Sequence, residues 1–363
     1  MPPAALTLRA GPEALRILRE RGLRPEDVDV LPGASGGAKW LAIGGLDRYL
    51  FGTFLAAPRD RPLHCIGSSI GSWRMACLAQ RDPVAALARG HHAYIHEQRY
   101  SARPDTAEVT RVLARCLDLL LGPTGVDEIL AHPWARLHVI TAQARGLAAS
   151  ARRPVLAAAM ALAAAGNALS RRTLAWQMRR VIFHGCGDET PFRHLADLPT
   201  LHRPLTRENV RDALFASGSI PLLLDGVRIP DEEGGPGGVH WDGGVLDYHL
   251  DLDFGGGDGL VLYPHYYAHV VPGWLDRGLA WRRARGANFR RALRIAPSDA
   301  FVAALPGRKI PDRRDFHGIS EAERMRRWEA TLAASARLGE ELGELVASGR
   351  VADRVRPWTE GAG

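Results

Sequence analysis

The sequence predicts an α/β fold with a mostly parallel central sheet, and three observations support this prediction. Two short runs near the N-terminus have the pattern of strands, at residues 27–31 and at the apolar residues 63–66. Each run is followed by a glycine-rich loop and then by a segment whose apolar residues recur at helical spacing. From about Arg180 onward, strand-like and helix-like segments alternate again. Such alternation is typical of a parallel sheet covered by helices.

The second glycine loop has the pattern of a nucleophile elbow. It reads Gly67-Ser68-Ser69-Ile70-Gly71, and a serine on a sharp strand-to-helix turn is held in a strained, exposed position. The glycines let strand and helix approach closely, and the helix N-terminus favours developing negative charge. We therefore predict that Ser69 is a nucleophile. A Gly/Ser turn without chemistry is the alternative.

The first glycine loop, at residues 33–40, is a candidate oxyanion hole. Consecutive amides at Gly36, Gly37 and Ala38 would point at one oxygen, as stabilisation of a tetrahedral intermediate requires. In a parallel sheet this loop opens at the same carboxyl edge as the Ser69 loop. A tight packing turn is the alternative. A nucleotide-binding P-loop is excluded, because that motif needs Ser or Thr after its lysine and Lys39 precedes a tryptophan.

A carboxylate that could activate the serine lies in the run His240-Trp241-Asp242-Gly243-Gly244. A serine nucleophile needs a base, either a histidine oriented by a carboxylate or a carboxylate acting directly. Asp242 precedes two glycines and is therefore expected at a sharp turn from which it faces a neighbouring loop. An ordinary Asp-Gly turn is the alternative, because such dipeptides are common in turns.

In this order, the glycine loop, the elbow, an Ala-Ser…Ile-Pro segment at residues 216–221 and the Asp-Gly-Gly run resemble the patatin-like phospholipase family. The resemblance implies a three-layer αβα sandwich and hydrolysis of acyl esters in lipids. It also implies a catalytic dyad of Ser69 and Asp242 without a catalytic histidine. The oxyanion site would be formed by Gly36 and Gly37 and completed by the amide of Ile70.

The oxyanion loop differs from the pattern of that family. Ala34 and Ser35 stand where Asp and the first glycine belong, Lys39 replaces an arginine, and Trp40 replaces the last glycine. We expect Lys39 and Trp40 to charge or crowd the mouth of the site. Tyr248 stands where the family often has asparagine.

Other functions remain open from the residues alone. His265, His269 and His317 follow Asp242 in the chain order of a Ser-His-Asp esterase. An acyltransferase or a thioesterase would use Ser69 in the same way as a hydrolase. A non-catalytic lipid-binding protein with the same fold is the alternative outside the enzymes.

Length and composition fit one large domain over residues 1–363, and 46% hydrophobic residues exclude extensive disorder. We predict a helix-rich insert at about 87–178 and a C-terminal helical extension at about 319–350, with one helix over roughly 320–348. Further strands are predicted at residues 137–141, 181–183, 259–263 and 301–305.

The chain has a net charge of +7, and almost all its basic residues are arginines. Arginine suits phosphate headgroups because its planar fork donates two hydrogen bonds at once. We expect the substrate to be a lipid ester, and we expect no binding of nucleic acid. Peripheral contact with an anionic membrane surface is a further option. The oligomeric state is left open.

The four cysteines show neither paired nor metal-like spacing, so we expect reduced thiols, no metal and no cofactor. The N-terminal residues lack the pattern of a signal peptide, and a cytoplasmic location is expected.

Two segments, one flanked by arginines and one containing them, have two interpretations each. Residues 155–169 are almost all Ala, Leu, Val and Met, too few for a bilayer crossing of roughly 20 apolar residues. They form either a lid or interfacial helix resting on lipid, or an Ala-rich helix packed on the core. Residues 274–294 combine aromatic residues with arginines, which is typical of a surface that binds nucleic acid or an anionic membrane, or of a charged, solvated helix face.

Overall fold

The computed structural model describes residues 3–186, 190–231, 237–284 and 286–358, and it has the predicted α/β architecture with a mostly parallel sheet. The strands are β1 (Leu6–Ala10), β2 (Val28–Gly33), β3 (Leu63–Ser68), β4 (Ala135–Ala144), β5 (Met178–His184), β6 (Thr200–Pro204), β7 (Val227–Ile229), β8 (Gly238–Asp242), β9 (Leu260–Pro264), β10 (Ala292–Pro297) and β11 (Arg356–Pro357). The arrangement agrees with a three-layer αβα sandwich.

The described residues also form α-helices on both the N-terminal and the C-terminal side of the chain. They are α1 (Pro12–Arg21), α2 (Gly44–Tyr49), α3 (Ile70–Leu78), α4 (Pro83–His96), α5 (Thr106–Leu121), α6 (Gly125–Leu130), α7 (Arg153–Leu169), α8 (Val210–Ser217), α9 (Asp299–Ala304), α10 (Asp315–Gly318), α11 (Glu321–Ala334), α12 (Ala336–Ala347) and α13 (Val351–Arg354). A 3₁₀ helix at Gly37–Ile43 leads into α2, and a π-helical turn at Leu50–Phe54 follows it.

The strand order of the sheet brings the sequence motifs together. The order is β11-β1-β10-β9-β2-β3-β4-β5-β6, and β8 pairs with β4 and β7. β2 and β3 are parallel neighbours with Gly33 opposite Gly67, so the two glycine loops leave the sheet side by side. β8 runs antiparallel to β4 with Asp242 opposite Thr141. The end of β8 therefore reaches the edge where β3 ends.

Close backbone contacts hold the glycine loops against each other. A Cβ atom on Gly71 would lie 1.9 Å from the carbonyl oxygen of Gly33, and one on Gly67 would lie 2.5 Å from the amide nitrogen of Ser72. Such distances exclude any side chain at either position. Glycine is required here because α3 packs directly on the end of β2.

A buried ion pair supports the first glycine loop from behind. Arg74 of α3 donates two hydrogen bonds of 2.7 Å to Asp47 of α2, and both side chains are fully buried. The Arg74 guanidinium lies 5.7 Å from the ring centre of Tyr266, whose hydroxyl donates to the Ala34 carbonyl oxygen at 2.9 Å. A Cβ atom on Gly36 would lie 2.7 Å from that ring. The pair and the ring thus fix the position of the loop.

Three of the four further predicted strands are confirmed, and one is wrong. The strands predicted at 137–141, 181–183 and 259–263 correspond to β4, β5 and β9. Residues 301–304 belong to α9 instead of a strand, and Leu305 follows the end of that helix. Ser298 caps the helix by accepting a hydrogen bond from the Phe301 amide at 3.1 Å.

The helix predicted over roughly 320–348 is two helices, α11 and α12. They are separated at Ser335, whose hydroxyl accepts a hydrogen bond of 2.8 Å from the Gly45 amide. A Cβ atom on Gly45 would lie 2.3 Å from the Ser335 carbonyl oxygen. The junction of the two helices therefore packs directly against the start of α2.

Helix α7 is partly buried and partly exposed. Leu156, Met160 and Ala163 are buried in a second apolar core that also contains Trp241. Leu169 on the same helix is 86% exposed. Among the described residues, no helix combines the length and apolarity that a bilayer crossing requires.

Residues 274–294 do not form a solvated helix face, so that interpretation is wrong for the part of the segment that is described. Three short 3₁₀ turns lead into β10, and Phe289 is fully buried. The Arg294 guanidinium lies 4.4 Å from the ring centre of Trp358, and Trp281 is exposed. Arg285, which belongs to the predicted patch, lies outside the described residues.

We predict that Asp47→Asn destabilises the fold by about 3–5 kcal/mol, because it leaves the buried Arg74 charge without its partner. The free energy of unfolding in urea measures this effect. Glu20→Gln is the matched control, since the Arg16–Glu20 pair is exposed and such pairs contribute about 0–1 kcal/mol. Equal, small losses in both variants would contradict the role of the buried pair.

Candidate active site

Ser69 lies at the sharp turn between β3 and α3 in a strained backbone conformation. Its φ of 55° and ψ of −135° are unusual for a residue with a side chain, and such strain costs of order 1–3 kcal/mol. The Ser69 amide donates to the Ser217 hydroxyl at 2.9 Å, and that hydroxyl donates to the Ile140 carbonyl oxygen at 2.7 Å. Ser217 therefore anchors the strained turn to β4.

The Ser69 side chain contacts the predicted base directly. Its hydroxyl donates to Oδ2 of Asp242 at 2.8 Å, and both side chains are largely buried. The other carboxylate oxygen, Oδ1, accepts from the Gly244 amide at 2.7 Å. The two hydrogen bonds orient the carboxylate, and the structure therefore brings the two predicted dyad residues together.

The two glycines after Asp242 are required by close packing. A Cβ atom on Gly243 would lie 2.2 Å from the Ile140 carbonyl oxygen, and one on Gly244 would lie 2.5 Å from the Ser35 hydroxyl. Ile140 belongs to β4, and Ser35 belongs to the first glycine loop. The turn after Asp242 thus fits between β4 and the first glycine loop.

Burial raises the pKa of Asp242 to about 7, because the carboxylate is removed from water. The hydrogen bonds from Ser69 and Gly244 act in the opposite direction and lower the pKa, but they do not outweigh burial. A carboxyl group with such a pKa is a stronger base than an ordinary aspartate and still has an ionised fraction near neutral pH.

The predicted oxyanion residues lie beside the dyad. Gly36, Gly37 and Ile70 line the same cavity as Ser69 and Asp242. Gly37 has a φ of 55°, which favours glycine. Gly37 and Ile70 begin helical segments, where the first amides have no acceptor within the helix. These amides are therefore suited to bind an oxygen that develops negative charge.

Serine side chains connect the three loops beneath the site. The hydroxyls of Ser35 and Ser68 are 2.6 Å apart, and the Ser68 hydroxyl lies 2.6 Å from the Asp247 carbonyl oxygen. The Ser35 amide donates to the Tyr248 carbonyl oxygen at 2.8 Å. Ser35 therefore bridges the first glycine loop to the end of β3 and to the segment after Asp242.

A buried arginine fixes the segment that follows the base. Arg180 of β5 donates two hydrogen bonds of 2.7 Å to Asp247, and it also pairs with Asp197 at 2.7 Å. Both the Arg180 and Asp247 side chains are buried. The segment after Asp242 is thereby attached to the sheet.

The cavity in front of the dyad has a volume of about 1020 Å³. Apolar and aromatic side chains line much of it, and several basic side chains line it as well. The apolar group includes Trp73, Leu113, Phe215, Ile220, Leu223 and Leu224, and the basic group includes Lys39, Arg277, Arg313 and Arg314.

The expectation about the mouth of the site is wrong for Trp40 and is confirmed for Lys39. Trp40 is fully buried behind the loop, with its ring centre 4.4 Å from that of His91. Lys39 lines the cavity, and its ammonium group donates to the Gly36 carbonyl oxygen at 3.3 Å and to the Tyr248 hydroxyl at 3.4 Å. The loop adds positive charge to the cavity, and its tryptophan belongs to the core.

The histidines of the predicted Ser-His-Asp alternative do not join the dyad. His265 is fully buried and its ring contacts the backbone of Tyr267, while His269 and His317 line the cavity. Within the described ranges, no histidine makes a hydrogen bond to Ser69 or Asp242. The Ser69 hydroxyl already donates to the carboxylate itself.

Sequence reasoning missed the anchoring role of Ser217 and the bridge between Ser35 and Ser68. Ser217 belongs to the Ala-Ser…Ile-Pro segment, so the motif pointed to this part of the chain. The motif did not show that the Ser217 hydroxyl accepts a hydrogen bond from the Ser69 amide. The Ser35 bridge had no such signal, because it depends on the approach of two loops.

The chain matches no protein-family model, no curated protein and no solved structure.

We predict that the rate of reaction of Ser69 with a fluorophosphonate increases with pH and levels off above about pH 7. Below that pH the Asp242 carboxyl is protonated and cannot accept the Ser69 proton, so the rate should fall about tenfold per pH unit. The measurement is the second-order rate constant between pH 5 and 9. A midpoint near pH 4, or a rate independent of pH, would contradict the raised pKa.

Proposed function

We propose that this protein is a serine acyl-ester hydrolase of the phospholipase or lipid acyl hydrolase type, acting through Ser69 and Asp242. The observation that supports this function most directly is the 2.8 Å hydrogen bond from the strained Ser69 to a buried carboxylate whose pKa is about 7. A turn without chemistry requires neither the strain nor the desolvated carboxylate.

The reaction would proceed through an acyl-enzyme. As Ser69 Oγ attacks the ester carbonyl carbon, Asp242 Oδ2 accepts the hydroxyl proton. The amides of Gly36, Gly37 and Ile70 stabilise the oxyanion, and each such donor contributes roughly 3 kcal/mol in other enzymes. When the bond to the leaving alcohol breaks, Asp242 returns the proton to the alcohol oxygen. Asp242 then accepts a proton from water as the water oxygen attacks the acyl carbon. It returns this proton to Ser69 Oγ when the acyl–oxygen bond breaks, which releases the acid and restores the free serine and the carboxylate.

A lipid ester is the substrate class that suits the cavity. Its apolar lining would bury an acyl chain, because apolar contact with such a chain is favourable at roughly 0.8 kcal/mol per methylene group. The basic side chains on the same cavity, among them Lys39 and Arg313, would attract an anionic headgroup. Acyl transfer to an acceptor other than water would use the same two catalytic residues.

Peripheral contact with an anionic membrane is part of this proposal. Leu162, Leu169 and Trp176 are 57%, 86% and 74% exposed and lie in or just after α7. Arginines flank the helix at its two ends. Large exposed apolar side chains next to arginines are typical of interfacial surfaces.

Helix α7 is also attached to the cavity wall. Asn167 of α7 donates to Asp276 at 2.7 Å, and Arg171 pairs with the same carboxylate at 2.9 Å. Asp276 belongs to the same 3₁₀ turn as Trp274, which lines the cavity. A lipid-bound α7 would therefore lie close to the site that accepts the substrate.

A cytoplasmic location also belongs to the proposal. Cys65, Cys77 and Cys116 are buried and form no disulfide with any described residue, as is usual in a reducing compartment.

We predict that fluorophosphonate labels the wild-type protein and that Ser69→Ala abolishes labelling. Asp242→Asn should slow labelling and ester hydrolysis by about 10²–10⁴-fold, because an amide cannot act as the base. Labelling is measured by intact-mass spectrometry, and hydrolysis by release of fatty acid from phospholipid.

Ser219→Ala is the matched control, because Ser219 is buried near Asp242 but its hydroxyl donates to the Phe215 carbonyl oxygen. This variant should keep full labelling. Folding of each variant is checked by circular dichroism. A folded Asp242→Asn protein with wild-type rates would exclude the dyad.

We predict that replacing Leu162 and Leu169 together by Asp lowers binding to anionic vesicles by at least about tenfold, because two exposed apolar contacts are lost. Hydrolysis of a short, soluble ester should not change. Leu119→Asp is the control on another helix, since Leu119 is 39% exposed on α5. Equal vesicle binding by the double variant and the wild type would show that α7 does not contact the membrane.

A further inference from the structure

Four histidines form a continuous row across neighbouring strands, away from the candidate active site. His64 lies on β3, His138 on β4, His184 on β5 and His202 on β6. His64 is the second residue of β3, whereas Ser69 follows the end of that strand. Five residues of extended strand separate them, which corresponds to about 16 Å.

Hydrogen bonds join each histidine to the next. Nδ1 of His64 lies 3.1 Å from Nε2 of His138, and Nδ1 of His138 lies 2.8 Å from Nδ1 of His184. Nε2 of His184 lies 2.8 Å from Nδ1 of His202. Imidazole nitrogens are the commonest metal ligands in proteins.

A cysteine lies beside one end of the row. Nδ1 of His64, Nε2 of His138 and Sγ of Cys186 all lie within 4.8 Å of one another. Two nitrogens bound to one tetrahedral zinc ion at about 2.05 Å are roughly 3.3 Å apart. The 3.1 Å separation of the two imidazole nitrogens is close to that value.

We propose that His64, His138 and Cys186 bind one zinc ion, with the fourth tetrahedral position taken by water or an added anion. Two imidazoles and a thiolate suit zinc, which is a borderline-soft ion. On binding, the Cys186 thiol releases its proton to solvent and the sulfur becomes a thiolate ligand. The site would join β3, β4 and the chain that follows β5, and it is independent of the proposed hydrolase function.

The rest of the histidine row would orient the ligands. If Nε2 of His138 binds the ion through its lone pair, the proton of that ring lies on Nδ1 and is donated to His184. His184 then keeps its own proton on Nε2 and donates it to His202. His138 and His184 would then each use both ring nitrogens, and such outer hydrogen bonds fix the tautomer and orientation of metal-binding histidines.

Packing around the ligands supports a shielded but accessible site. The Phe192 ring packs edge-on against His138 with the ring centres 4.9 Å apart, and Phe192 is fully buried. His64 and Cys186 are only partly buried, whereas His138 is fully buried. An ion could therefore enter from the side of His64 and Cys186. Sequence spacing did not indicate this site, because its ligands come from β3, from β4 and from the chain that follows β5.

Metal titration of the full-length, chelator-treated protein tests the proposal. We expect one Zn²⁺ per chain by calorimetry, and we expect Co²⁺ to give a thiolate-to-cobalt charge-transfer band in the near ultraviolet.

Cys186→Ser should abolish that band, and His64→Gln should weaken Zn²⁺ binding by tenfold or more. These two residues are partly exposed, so their variants are expected to fold, which circular dichroism verifies. His184→Gln should weaken binding by 10–100-fold, as loss of an outer hydrogen bond does elsewhere.

A matched control separates this site from an adventitious one. His92 and His96 are one turn apart on α4 with ring centres 4.6 Å apart, and His92 is exposed. His92→Gln should leave the stoichiometry and the cobalt band unchanged. Absence of zinc binding by the folded wild type, binding that is unaffected by Cys186→Ser and His64→Gln, or binding that His92→Gln removes would each overturn the proposal.

Discussion

Direct backbone packing of three glycine-containing turns at one edge of the sheet is the constraint on which the candidate site depends. Gly71 lies against the Gly33 carbonyl oxygen, and Gly243 lies against that of Ile140. A side chain at either position would force the two backbone segments apart. Because the turns meet backbone to backbone, the hydroxyl of Ser69 and the carboxylate of Asp242 come within hydrogen-bond distance although they are 173 residues apart.

Electrostatics then distinguish two aspartates of the same segment. Asp247 is buried against Arg180, which donates two hydrogen bonds to its carboxylate. Asp242 is also buried, but its two oxygens accept hydrogen bonds from a hydroxyl and an amide, which bear no net charge. Burial is the largest influence on the pKa of Asp242, and the charge of Arg313 is the smallest. One aspartate is suited to hold the loop, and the other is suited to exchange a proton.

Sequence reasoning could predict the α/β fold and the residues of the candidate site. Glycines stand where two backbone segments touch, so their positions indicate the turns at which strands and helices meet. It could place Ser69 and Asp242 on turns, but it could not show that burial raises the pKa of the aspartate. It predicted a strand at residues 301–305, since a short apolar run fits both states and the Ser298 cap was not considered. It placed Trp40 at the mouth of the site, because a sequence motif does not show which way a side chain points.

The histidine row is a second feature that sequence patterns could not predict. His64 and His138 are 74 residues apart and share no motif, and only the parallel pairing of β3 and β4 brings them together. Local patterns predict turns and helices, whereas contacts between strands depend on the order of the sheet.

The most direct measurement of the central claim is a crystal structure of the protein after reaction with a fluorophosphonate. The dyad and its oxyanion site predict a phosphonyl group on Ser69 Oγ, with its free oxygen accepting hydrogen bonds from the amides of Ile70 and of Gly36 or Gly37. Asp242 should remain beside the modified oxygen. A phosphonyl group on another residue, or one on Ser69 with its oxygen directed away from these amides, would contradict the account.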